Sequence, residues 1–165
     1  MAGGFLTMLV LVGVLIGLPT VVDKTVDEPV VTGAPTEPAS VSDGGSKRGA
    51  DKPPGNVELA RGAFKPLAHP GSGEATVVEL ASGDRRLTLT DFETDNGPDL
   101  FVYLASDDVT TGEVGEFENL GRLKGNRGNQ EYGISEGVDL KRYSTVVVWC
   151  RAFSVAFTKA PLERP

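Results

Sequence analysis

Cys150 is the single cysteine of this 165-residue chain and His69 its single histidine. Those two counts bound the chemistry. One thiol cannot close an intramolecular disulfide. It cannot supply a zinc finger, a CxxC redox pair, an iron–sulfur cluster or a CxxCH haem attachment either. A blue-copper centre, which takes two histidines and a cysteine, cannot be built within one chain. What a lone thiol can do is form a sulfenic acid, an intermolecular disulfide or an axial bond to a metal. Met1 and Met8 are the only methionines and both precede the region that can fold. A His–Met haem is therefore excluded, and a His–Cys pair or a single axial ligand remains. Cys150 lies in the apolar run Thr145 to Phe157, where a thiol also serves simply as a small buried hydrophobe. Its neighbour Arg151 belongs to the opposite strand face, so adjacency does not make it a thiolate partner. His69 precedes Pro70-Gly71-Ser72-Gly73, a loop in which it either braces the backbone or acts as a donor beside Cys150.

Other polar clusters read as architecture. Asp91, Asp95 and Asp99 around Asn96-Gly97 lack the spacing of an EF-hand and suit a tight Asx-braced loop. Asp107, Asp108, Glu113 and Glu116 form an acidic loop. Gly121, Gly125, Gly128 and Gly133 match neither Walker nor Rossmann spacing, and turns explain them better. No nucleophile-elbow sequence supports hydrolysis, so the expected role is an accessory module without catalytic activity of its own. The formal charge of −7, with scattered basic residues, argues against a nucleic-acid partner.

The elements that must position Cys150 and His69 begin after two appendages. Ala2 to Val22 carries no charged side chain. As a helix it would run about 31 Å, near the hydrocarbon thickness of a bilayer. It lacks the basic n-region of a cleaved signal peptide, so residues 1–22 are expected to be an uncleaved transmembrane anchor in contact with membrane lipid. Asp23, Asp27 and Glu28 against Lys24 favour an outward C-terminal side. Residues 23–61 hold no aromatic residue and are rich in Pro, Ser, Thr and Gly, which predicts a disordered stalk.

Residues 62–165 then show short apolar runs split by turn residues. Ala75 to Leu80 and Arg85 to Phe92 flank Ser82-Gly83-Asp84 as a hairpin would. Leu100 to Ala105 is apolar on both parities, as a strand covered on both faces must be. Phe117 to Leu123 and Gln130 to Ile134 are shorter candidates, and Thr145 to Phe157 reads as one long strand. Its large residues Trp149 and Phe153 mark a core face, which would leave Cys150 in a shallow cleft beside Ala152 and Ser154. The expected fold is all-β, a small β-sandwich or flattened barrel of about seven or eight short strands preceded by one N-terminal transmembrane helix.

Four ordered stretches add a family resemblance: GAF with HPGSGEA (Gly62 to Phe64, His69 to Ala75), GPDLFVYLA (Gly97 to Ala105), NLGRLKGNRGNQEYGI (Asn119 to Ile134) and VVVWCRAFSVAFTKAPL (Val146 to Leu162). Together they resemble the DM-thirteen electron-transfer domain over Gly62 to Leu162. The resemblance implies a small exported β domain in which Cys150 takes part in redox chemistry. It would act as a bare thiol toward a partner protein or small thiol, or as a ligand, with His69, to a haem or other bound group. The rival expectation is a non-catalytic surface-binding or adhesion domain in which Cys150 is only core.

Overall fold

Val, Leu, Phe and Thr runs cut by Gly, Asn and Asp fold here as strands that turn back on one another. The computed structural model describes residues 22–35, 55–106 and 109–165. Its strands are β1 Thr25–Asp27, β2 Ala34–Pro35, β3 Val57–Ala63, β4 Lys65–Pro66, β5 Gly71–Glu79, β6 Arg85–Thr94, β7 Leu100–Ala105, β8 Phe117–Arg122, β9 Arg127–Ile134, β10 Thr145–Cys150 and β11 Val155–Pro161. The first sheet has the order β1-β9-β6-β5-β3-β2 and the second β4-β11-β10-β7-β8. Two separate sheets decide for the sandwich over the barrel. The strand number exceeds the expected seven or eight because β1, β2 and β4 are two- or three-residue edge strands, too short to leave a periodic signal.

Between the sheets lies one apolar layer. Ala75, Val77, Leu87, Leu89 and Phe92 of the first sheet meet Leu100, Val102, Leu104, Val146, Val148, Cys150 and Phe157 of the second. The other face of the second sheet carries a smaller cluster of Phe101, Tyr103, Ala105, Val147 and Ala156, covered by Val109, Val114 and Leu67. β7 is thus buried on both faces, as its apolar parities require.

Two expectations change. Thr145 to Phe157 is not one strand: residues Arg151–Ser154 form an exposed turn, and β10 and β11 pair as a hairpin with Cys150 opposite Val155. Ser154 sits at φ 51° in that turn. Alternation continues through it by coincidence, so period two alone could not reveal the break. The second change concerns the stalk. Residues 25–27, 34–35 and 57–61 are strands, and Ala60 is a core residue at 4% exposure. The folded part therefore begins well before residue 62. Pairing through backbone amides needs no aromatic side chain, which is why composition missed it. The remainder of the expected stalk, 36–54, and the expected helix up to residue 21 lie outside the described residues. Among the described residues no helix is long and apolar enough to cross a membrane.

Candidate functional site

Cys150 ends β10. The even residues of that strand, Val146, Val148 and Cys150, face the layer between the sheets, and the odd ones, Val147 and Trp149, face outward. Cys150 is 0% exposed, and among the described residues no hydrogen bond or ion pair reaches its sulfur. This reverses the expected sidedness. The thiol is core, Trp149 is half-buried on the outer face, and Phe153 is 69% exposed on the turn. The physical reason is volume. The rings of Phe64, between β3 and β4, of Phe92 in β6 and of Phe157 in β11 come into the shared layer, so β10 contributes small and β-branched side chains there and its large ones on the other face.

His69 sits after β4. Its backbone N–H donates to the Phe157 carbonyl at 3.0 Å, and Leu67 donates to the same oxygen at 3.1 Å. Phe157 can accept both because it is the extra residue of a β-bulge: Val148 faces Thr158 while Trp149 faces Ala156. The imidazole stacks on the Phe157 ring, centroids 3.8 Å apart, and its Nδ1 lies 2.9 Å from Asp95 Oδ2. His69 and Cys150 thus both involve Phe157, one stacked on its ring and the other in its core cluster, but no hydrogen bond joins them. Asp95 turns out to be the partner of His69. Asn96 supplies the Asx contact, its Oδ1 accepting from Gly97 N at 2.8 Å.

An axial haem ligand needs room for a porphyrin beside the donor atom. Cys150 has none, being closed in on the apolar layer, and neither Cys150 nor His69 lines the surface clefts described around Tyr132, Arg61, Asn96, Leu123 or Trp149. Nor do three or more His, Cys, Asp or Glu side chains gather as a metal would require, among the described residues. The residues present do not fit a His–Cys haem in this conformation.

Two features escaped the sequence reading. The outer face of the second sheet is aromatic: Tyr103 stacks on Phe117 at 4.2 Å, and Arg151 lies 3.6 Å from the Phe101 ring while its Nε donates to Tyr103 Oη at 2.7 Å. Trp149 lines a cleft of about 530 Å³ on this face with Glu113 and Val114. Alternation in Leu100 to Ala105 held the signal, but without the register to β8 it could not be assembled.

The other is a strap, residues 22–35, that joins the two opposite edges of the first sheet. β1 pairs parallel with β9 and β2 parallel with β3. Between them Glu28 accepts from Lys124 Nζ at 2.9 and 2.7 Å and from Glu131 N at 2.9 Å, and the Glu131 carboxylate accepts from Val31 N. The Lys124 contact and the Glu131 amide hold the Glu28 carboxyl below its usual range. Gly128 makes room for this strap: its φ is +96°, and a Cβ there would lie 1.9 Å from the Val26 carbonyl oxygen.

A two-sheet β-sandwich with one buried strand-end thiol is the class that fold and site define. Residues 63–162 match the family described as electron transfer DM13, and the chain belongs to that family. Comparison with curated proteins and with solved structures brings no further match.

Proposed function

We propose that this chain is a membrane-tethered electron-transfer module held outside the cytoplasm, with Cys150 as its redox centre. Three things support it: the family to which residues 63–162 belong, the uncharged stretch Ala2 to Val22, and above all the position of Cys150. Although wholly buried, it is the last residue of β10 and borders the exposed turn Arg151–Ser154. Opening of a hairpin end costs far less than opening the core, so the thiol is reached by local fraying. Once reached, Cys150 loses its proton and its sulfur attacks a disulfide of a protein or small-molecule partner. One S–S bond forms, the partner's other sulfur leaves and takes up a proton, and a second thiol later returns Cys150 to the reduced state. With no resolving thiol in the chain, both steps use outside partners.

A second reading rests on the 0% exposure itself: Cys150 is a packing residue and the domain a binding module. Alkylation of the native protein across low urea concentrations separates the two. Under the redox reading the rate rises with a urea dependence well below that of global unfolding, the signature of a small opening. If alkylation tracks global unfolding throughout, Cys150 is structural and the binding module replaces the redox reading. The tether is tested apart from this, by mass spectrometry of the mature protein: an N-terminus after Val22 would remove the anchor.

A further inference from the structure

We infer that one end of the sandwich, the end carrying the β6–β7 loop and the β10–β11 turn, lies against the bilayer with the Phe153 ring in the headgroup layer. The inference rests on the reading of Ala2 to Val22 as an anchor and adds what that reading lacks, an orientation. A stalk beginning at residue 23 would have left the domain free to tumble. Instead the chain is fixed to the domain immediately after Val22. Asn96 Nδ2 donates to the Val22 carbonyl. Asp23 accepts from Asn126 Nδ2 at 2.9 Å and pairs with Arg127 at 3.3 Å, and Lys24 N donates to Asn126 Oδ1 at 2.7 Å. β1 starts at Thr25, so Val22 to Thr25 can span at most about 10 Å. The polar layer of a bilayer is roughly 5–8 Å thick on each side. The end of the domain that holds Val22 is therefore drawn to headgroup depth.

Backbone contacts say which loops share that end. Thr25 is opposite Arg127, and Thr94 N donates to Asn126 O at 2.9 Å. The β6–β7 loop starts after Thr94 and closes on the β10–β11 turn, where Arg151 N donates to Asp99 O at 3.0 Å. Cys150 is opposite Leu100. Val22, Phe117 and Phe153 are the large apolar residues left exposed among the described residues, Val22 at 71% and Phe153 at 69%. The topology puts Val22 and Phe153 at the same end. An exposed aromatic ring beside an exposed arginine, here Arg151, is the composition that settles at a lipid interface. At the far end are the β5–β6 turn with Ser82, and β2, whose Ala34 is opposite Val57 and so level with Glu79. The strap thus runs from the membrane end to the distal end.

The consequence is that the hairpin end guarding Cys150 opens toward the bilayer surface. The test uses full-length chain reconstituted into phosphatidylcholine vesicles containing a headgroup spin-labelled lipid. An environment-sensitive fluorophore is attached through Phe153→Cys or Ser82→Cys in a Cys150→Ala background, with Trp149 emission reporting that each variant keeps its fold. The expected result is flotation with the vesicles and quenching several-fold stronger at position 153 than at 82. Flotation with equal quenching, or with stronger quenching at 82, overturns the orientation and leaves the anchor standing. Failure to float removes the anchor and the orientation with it.

Discussion

The β10–β11 hairpin and the N-terminal strap are both two-strand elements, yet they are held by opposite means. Val146, Val147, Val148 and Cys150 are all 0% exposed, and the hairpin lies centrally in its sheet. None of the residues 22–34 is fully buried, and the strap is held by edge pairing, amide–carboxylate contacts and the Glu28–Lys124 pair. Apolar burial ties an element to the cooperative unfolding of the whole domain, whereas polar edge contacts let it detach alone. The body of the hairpin, around Val146 to Val148, should therefore report global stability, while the strap, like the frayed turn end of the hairpin at Cys150, opens locally; each variant below either preserves that division or breaks it.

Phe157→Ala should have the largest effect. Its ring is 2% exposed, belongs to the inter-sheet layer and carries the His69 imidazole. Removing a buried phenylalanine ring costs about 3–5 kcal/mol, to be read as a shift of the urea midpoint with an unchanged slope. A shift below about 1 kcal/mol would mean that the gap collapses and the layer is less tightly built than the burial implies. Cys150→Ser comes next. It puts a hydroxyl where no partner exists, at a cost of about 1–3 kcal/mol, while Cys150→Ala avoids the unpaired polar atom. A serine variant as stable as the alanine variant would mean that water reaches the site, contrary to its burial.

Gly128→Ala inverts the comparison. A methyl group there meets the Val26 carbonyl oxygen at 1.9 Å, and the φ of +96° is unfavourable for alanine. The strap has an escape that the core lacks, so β1 should leave the edge of β9. Amide exchange should lose protection at Val26 and Glu28, with little change in the urea midpoint of the domain. A midpoint loss matching that of Phe157→Ala would show that strap and core form one cooperative unit.

The same division explains what could be read from sequence. The all-β class, the two-faced burial of Leu100 to Ala105 and the strand pair around Ser82-Gly83-Asp84 follow from apolar periodicity, and each corresponds to observed strands. Periodicity could not say which face of β10 is the interior. Both faces are covered, and the larger residues lie on the one with the thinner cover. The strap was invisible for a different reason. Its sequence is rich in Pro, Thr and acidic residues, a composition that usually cannot offset its ordering entropy. Here the cost is offset by partners far along the chain, Asn126, Arg127 and Glu131. The glycines at 125 and 128, read as turn residues, were in part the imprint of that contact: a Cβ on Gly125 would lie 2.4 Å from Lys24 O.

The smallest expected effect is an acid-induced loosening of the strap through Glu28. Its carboxyl is held below the usual range, first by the hydrogen bond to Lys124 and next by the Glu131 amide. A carboxylate whose folded value is depressed adds stability above its unfolded value, about pH 4.3, and loses it as pH falls through the folded value. The strap should therefore be tight at neutral pH and loosen in acid. Because the Glu28 side chain is 35% exposed and Lys124 39%, solvent screening limits the contribution to less than about 1 kcal/mol. The measurement is the protection factor of the Glu131 and Val31 amides, each corrected for its intrinsic exchange rate, at about pH 7 and about pH 3. The pair of Asp23 with Arg127 also holds the strap, so Glu28→Gln is the necessary comparison. In that variant protection at pH 7 should already be reduced and the remaining pH dependence smaller than in the parent. If parent and variant lose protection in parallel, the acid response does not run through Glu28, and the Glu28–Lys124 pair contributes nothing measurable to holding the strap.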